Sequence, residues 1–534
     1  MNDELKGAMM ITVLLLVMLA VGVGAAADVT PFPVPDAAPD APYTVVVGDV
    51  AVPVEKCGAV LPVYYARAVV SGAHRAEVTA TASPGARFVL LPERLRANVS
   101  ETPGRIAFDV IGRGPYAMTV WADGVELPSF ILVVEDVADV RDAPAHERLY
   151  RLEPVGAGLD TARIQAALDA CADAPDGGAV IFTPGIYTTG SVTVGPNTVV
   201  YFAPGALVRA ASDRDLITDR GIFHFTRADN SRMYGHGVID GHGHVLRLEQ
   251  ELSAQIIRAS TSTNLVIEDV TLRNAPGWTF LIRGCRGVRV DNVKLFSDWA
   301  VANNDGINPE SSEDVTITRY FGHGSDDTIA VKTLPGEGYW VNDGAARNIT
   351  VRDSVVMCRK TALKAGTETN RDIENLLFEN IDIIHSARGL GIWMRDGAAI
   401  RNVVFRDIRM HLREIDGEYM SGEPFRVVIQ KRHGLGTIEN IRYENITTNA
   451  PFRALIQGRA DRRAGGLLFK DIVIDVSDRL IKRDPAPVFR IEHAENVRFE
   501  NVTARWATDD REPWSGLFEI EDSDDIATGG AVLQ

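Results

Sequence analysis

The sequence predicts an all-β protein, a right-handed parallel β-helix preceded by a small β-sandwich. Three observations lead there. A seven-residue unit (Asn or Gly, aliphatic, any residue, aliphatic or aromatic, any residue, Asn or Asp, aliphatic) recurs nine times between positions 264 and 502. No helical pattern separates the units, so each must bury its apolar face by stacking on the next. Ahead of them, roughly 95 residues carry short apolar runs punctuated by turns, the pattern of a sandwich.

Taken in order, Met1 to Lys6 precedes an apolar run from Ala8 to Val23, and Ala25-Ala26-Ala27 offers an Ala-x-Ala cleavage site. Residues 1–27 therefore read as a secretory signal peptide, with an uncleaved anchor as the alternative. The expected location is secreted or periplasmic, without stable membrane insertion once the leader is cleaved. No later apolar run reaches the length of a span. Residues 28–42, rich in Pro, Ala and Asp, read as an extended linker. The sandwich is expected over 43–137, from runs such as Tyr43–Val47, Arg87–Leu91 and Phe130–Val134. A hinge follows over 138–154, then the coil over 155–534. Ile164, Ala167, Leu168 and Cys171 fall on one face of a helix that Asp160 can cap, suited to closing the open end of the stack.

The units themselves include Asn264–Val270, Gly287–Val293, Asn375–Ile381, Asn402–Ile408, Asn440–Ile446, Gly466–Ile472 and Asn496–Val502. Apolar positions alternate with polar ones, so each unit is a strand with one buried face. The Asn or Asp that follows tolerates a corner's backbone and can ladder with its equivalents above and below. Loop insertions on one side of such a coil make a groove suited to a chain-like ligand.

A net charge of −17 argues against nucleic acid as a partner, and against a polyanionic ligand unless bases gather locally. Cys57, Cys171, Cys285 and Cys358 show no CxxC or Cys/His spacing, so isolated buried thiols are expected and neither metal nor cofactor is implied. His236, His242 and His244 look like a metal cluster but fall in a Gly-rich turn. The glycosylation sequons at Asn348, Asn445 and Asn501 lie inside the repeat and are expected to serve the fold. The oligomeric state is not legible.

Chemistry concentrates in Asn303-Asn304-Asp305-Gly306-Ile307-Asn308 and Gly324-Ser325-Asp326-Asp327-Thr328, followed by Lys332. If one turn of the coil runs from Asp305 to Asp326, these two carboxylates stack on neighbouring turns. Crowded carboxylates split their pKa values, which lets one serve as acid and another as base. Asp326 and Asp327 would point to opposite faces of an ideal strand, so a bend is required for both to reach one groove.

These segments resemble the motifs of the family 28 glycoside hydrolases, the polygalacturonase family, and the leading sandwich is similar to that of the family 49 dextranases. The resemblance implies inverting hydrolysis of a glycosidic bond in a polysaccharide or its oligosaccharides. Asp326 would protonate the leaving oxygen, while Asp305 and Asp327 would activate water. Two family motifs are altered. Where Gly-His-Gly is expected, Lys360 or Thr361 stands in place of the His. Where Arg-Ile-Lys would bind a uronate, Ile392 is kept within Gly391-Ile392-Trp393 but the cations are not. Replacement contacts to substrate are Asn303, His323, Lys332, Lys360, Lys364, Trp393 and either Arg388 or Arg395. The lysines would bind a uronate or hold Asp305 and Asp327 ionised. A β-helix polysaccharide lyase and a non-catalytic glycan-binding β-helix remain as alternatives.

Overall fold

The structure is a computed structural model and describes residues 29–334, 344–415, 418, 421–476, 486–506 and 514–534. The leader expected over 1–27 lies outside the described residues, and no described helix is long and apolar enough to cross a membrane.

The N-terminal module is the expected sandwich, a six-stranded sheet facing a five-stranded one. Tyr43, Val45 and Val47 alternate inward from one sheet, and Phe130, Leu132 and Val134 from the other, into a common core. The linker expectation for 28–42 is corrected. Val29–Pro31 is an edge strand paired with Val63–Val70, a position that tolerates proline because the missing donor faces outward. Asp36 then ties the segment to the coil through Arg209, at 2.7 Å, and Arg273. The hinge expected over 138–154 is likewise anchored. Asp139 pairs with Arg319 at 2.6 Å, and Leu149–Leu152 is already a strand of the coil.

The coil is a parallel β-helix of three strand columns. One holds Thr263–Glu268, Arg286–Asp291 and Glu313–Thr318; the second Thr271–Arg273, Lys294–Phe296 and Phe321–Gly324; the third Phe280–Arg283, Ile307–Glu310 and Ile329–Thr333. From Ala346–Cys358 onward the first two columns fuse into bent strands of 13 or 14 residues. Each bend is an Asp or Asn in the left-handed region, such as Asp353, Asn380, Asp407 and Asn445. Their side chains ladder, Asn380 Nδ2 donating to Asp353 at 2.7 Å and Asn445 to Asp407 at 2.5 Å.

A second ladder runs through the first residue of the units. Asn348, Asn375, Asn402 and Asn440 each donate to the residue one turn before, at 2.8 to 3.2 Å. The same place has φ +67° at Gly287 and +66° at Gly466, which is why the unit opens on Asn or Gly. The sequons at Asn348, Asn445 and Asn501 thus supply ladder amides.

The helix Thr161–Ala172 closes one end with the predicted apolar face buried. Asp160 is its N-cap residue but makes no capping bond. Its carboxylate instead accepts from the N–H groups of Val155 and Thr188 and pairs with Arg163. All four cysteines are free and buried.

The sandwich packs on the outer side of the second column, where Tyr65, Ile131 and Val133 meet Phe296, Phe321 and Met357. Tyr65 stacks on Phe296 with centroids 3.9 Å apart. A charged network crosses the same contact. Glu55 pairs with Arg67 at 2.7 Å, Asp240 with Arg273 at 2.9 Å, and Asp36 with Arg209 and Arg273.

Candidate active site

Both aspartate segments lie on the corner between the second and third columns. The strand Phe321–Gly324 ends before Ser325, and Ile329–Thr333 begins after Thr328, so Asp326 and Asp327 occupy the bend that two adjacent carboxylates require. One register is corrected. Ile307 pairs with Ile329, which makes the turn one position longer than the step from Asp305 to Asp326, so Asp305 stacks on Asp327 instead. Gly306 N–H donates to Asp327 O at 2.9 Å, consistent with that register. Asn304 fixes the corner from beneath: fully buried, it accepts from Thr279 and Ser297 and donates to Ala275 O.

Asp305 and Asp327 are 2% and 4% exposed, and each has its own lysine. Lys332 Nζ is 2.8 Å from Asp305 Oδ2 and sits over the ring of Trp278, 3.8 Å from its centroid. Lys364 Nζ is 2.6 Å from Asp327 Oδ2 and 4.9 Å from the centroid of Trp393. Two Trp–Lys–Asp sets therefore lie on neighbouring turns. The Thr361 N–H, donating to Asp327 Oδ1 at 3.1 Å, adds to the second.

Asp326 is half-buried and has no lysine. Its Oδ1 accepts from the Asp327 N–H at 2.9 Å. Burial, and then the charges of Asp327 and Asp305, push its carboxyl up to about 7. Burial also works against ionisation of Asp327, but Lys364 and Lys332 outweigh it and hold that carboxyl below its ordinary range. Burial raises Asp305 against the pull of Lys332. Burial works against the charge of Lys332 too, yet Asp305, Glu368 and Asp327 keep it protonated, up to about 12. The three carboxyls are thus unequal. Asp326 is raised toward neutrality, beside two carboxyls that each face a lysine.

The other predicted contacts divide. Asn303 is exposed and lines a cavity of about 770 Å³ with Trp278, Arg258 and Arg283, on the N-terminal side of the aspartates. Trp393 lies across Gly391, beside Lys364 and Arg426. Lys360 turns away to Glu418 at 2.7 Å, so it does not extend the row of Lys332 and Lys364. Arg388 Nε donates to Thr361 Oγ1, one turn beyond Asp327. Arg395 lines a separate cavity of about 940 Å³ with Lys431, Arg432 and Arg459. His323 is buried on the sandwich side, stacked on Trp299 at 4.9 Å, and burial pushes it down to about 3, so it is neutral.

Sequence reasoning missed Trp278 and Asn304. Both belong to the aspartate corner, and only the pairing of Phe280 with Ile307 brings Trp278 to it. The three clustered histidines separate to Glu135, Ala210 O and Glu249.

Comparison with known proteins agrees with this geometry. Residues 206–486 match the family model described as Glycosyl hydrolases family 28. An isopullulanase of Aspergillus niger is 25% identical over 316 residues, 55% of this chain and 50% of that protein. A polygalacturonase of Gossypium barbadense is 22% identical over 259 residues, 45% of this chain and 60% of that protein. The chain thus spans half to three fifths of the length of these curated relatives. Among solved structures, the family 28 exopolygalacturonase of Yersinia enterocolitica superposes with a TM-score of 0.58 at 15% identity, covering 85% of this chain and 96% of that one. Dex49A of Penicillium minioluteum gives 0.59 at 14% identity, covering 84% and 93%. At these identities the likeness is one of fold.

Proposed function

Because the chain belongs to family 28 of the glycosyl hydrolases, we propose that it hydrolyses O-glycosidic bonds of a polysaccharide or its oligosaccharides with inversion at the anomeric carbon. The observation that carries this reading is the unequal trio: Asp326 protonated near neutrality, Asp305 and Asp327 each against a lysine. In the reaction, Asp326 gives its proton to the leaving glycosidic oxygen. Asp305 and Asp327 take a proton from the water that attacks the opposite face of the ring. Lys364 keeps Asp327 in its basic form, Lys332 pulls Asp305 the same way against its burial, and the indoles of Trp278 and Trp393 offer flat faces for neighbouring sugars.

This assignment of the lysines bears on substrate and mechanism. Of the two roles open to them, holding Asp305 and Asp327 ionised is the one their ion pairs support. A lyase would instead need a cation free to act as a base, and each of these two is held in an ion pair with a buried aspartate. A uronate at the reacting bond would need a cation other than these two, so neutral glucans belong in the substrate panel beside polygalacturonate. We also place the enzyme outside the cytoplasm, on the leader-like N-terminus. Reducing-end release is measured on pullulan, dextran and polygalacturonate, with proton NMR of the first product. Release with the inverted anomer is expected; the retained anomer, an unsaturated product absorbing in the ultraviolet, or no release would refute the proposal.

A further inference from the structure

A second cavity, of about 490 Å³, lies where the sandwich meets the coil. Val60, Leu61 and Trp121 line it from the sandwich, and Trp299, Arg359 and Arg413 from the coil. Its size falls within the ~300–1,000 Å³ typical of small-ligand sites. Val60, Leu61 and Trp121 are 58%, 49% and 40% exposed, so the sandwich side of the cavity presents an apolar patch, a mark of binding surfaces.

The polar groups are placed as a saccharide would need them. Arg413 Nη1 bridges the two modules, 2.6 and 2.7 Å from the carboxylate oxygens of Glu126, and its guanidinium lies 5.8 Å from the Trp299 centroid. The indole Nε1 of Trp299 is buried and has no hydrogen-bond partner among the described residues. An exposed indole beside a carboxylate and a guanidinium suits a pyranose: a C–H face against the Trp121 ring, hydroxyls to the charged pair.

The cavity is also keyed to the catalytic corner. Asp298 accepts from the N–H groups of Ala59, Val60 and Leu61 at 2.8 to 2.9 Å, fastening the sandwich loop to the segment that runs on to Asp305. Four backbone donors, the fourth from Ala300, hold the Asp298 carboxyl below its ordinary range despite its burial. Trp299 is the next residue, Arg359 donates to its carbonyl at 3.0 Å, and Asn303 already faces the groove.

We propose that this inter-module cavity is a second glycan-binding site, separate from the aspartate groove and made jointly by the sandwich and the coil. The ligand class rests on the glycosidic reading of the aspartates; the site itself rests on the cavity, its exposed indole and its charged pair. The test is calorimetric titration of full-length Asp326→Asn protein with maltohexaose, isomaltohexaose and hexagalacturonate. Two binding events are expected for at least one of these probes. Adding Trp121→Ala removes one event or weakens it at least tenfold, and Trp121→Phe restores it. Adding Trp393→Ala affects the other event. A single event untouched by Trp121→Ala, or no binding of any probe, overturns the site. Because turnover is measured separately on the wild type, failure of this site is distinguishable from failure of the hydrolase reading.

Discussion

Two charged networks of this molecule, one at the contact of its modules and one in the groove, are balanced differently. At the contact between sandwich and coil, Glu55, Asp36 and Asp240 meet Arg67, Arg209 and Arg273, three anions to three cations. In the groove, Asp305, Asp326 and Asp327 have two lysines in direct contact. The balanced network fastens two modules, each anion against a cation. The unbalanced one leaves a carboxylate over, and a proton binds there at about pH 7. A dry site with one carboxyl too many is how a protein makes an acid out of aspartate.

The largest expected effect comes from removing the surplus carboxyl. Asp326→Asn should lower kcat by about 10²- to 10⁴-fold, the usual contribution of a general acid, with circular dichroism unchanged. Turnover within a few-fold of wild type would break the contrast between the regions.

Next come the paired charges. Lys364→Met removes the cation in contact with Asp327, and Arg273→Ala the nearer of the two beside Asp240, each at up to about 3–5 kcal/mol in chemical unfolding at pH 7. The two should destabilise alike, but only Lys364→Met should shift the pH–rate profile. A shift with Arg273→Ala would mean that the regions are not separate.

The pH profile gives a smaller and more specific measurement. Activity should fall about tenfold per unit above pH 7, as Asp326 loses its proton. The sign for stability follows from the same shift. A carboxyl raised in the folded state makes folding less favourable as pH climbs from its ordinary range to about 7. Asp326→Asn should therefore raise Tm above neutrality, with the gain vanishing near pH 4; a gain that is the same at both pH values would count against the assignment.

The smallest effect belongs to the ladders, remote from both charge networks. Asn375→Ala should cost about 1–2 kcal/mol, from the left-handed backbone and two lost amide bonds. Activity should stay at the wild-type level in an assay at low temperature.

The fold was legible because the repeat writes its geometry into composition: alternating apolar residues for strands, and Asn or Gly where φ is positive. The aspartates were legible because Asp-Gly and Ser-Asp-Asp are bends as well as chemistry. What failed depended on counting residues around corners. The turn between the aspartates is one position longer than the spacing of Asp305 and Asp326 suggests, which exchanged Asp326 for Asp327 as the neighbour of Asp305. Trp278 carries no signal beyond a Pro-Gly-Trp turn until the register places Lys332 over it. The strap at Asp36 read as a linker because its partners Arg209 and Arg273 are 173 and 237 residues away. Lys360 read as a groove cation because Glu418, its partner, lies in an insertion with no repeat pattern.

The indole of Trp393 lies so close over Gly391 that a β-carbon there would be 2.1 Å from the ring. In the family motif these two places hold Arg and Lys. A side chain at 391 therefore requires the indole at 393 to leave its present seat, so the two positions share one problem of space. Exchanging them one at a time passes through an intermediate that has neither the guanidinium seated nor the ring flat. Engineering this groove toward acidic sugars must thus change both residues together, and a scan of single substitutions would miss the route.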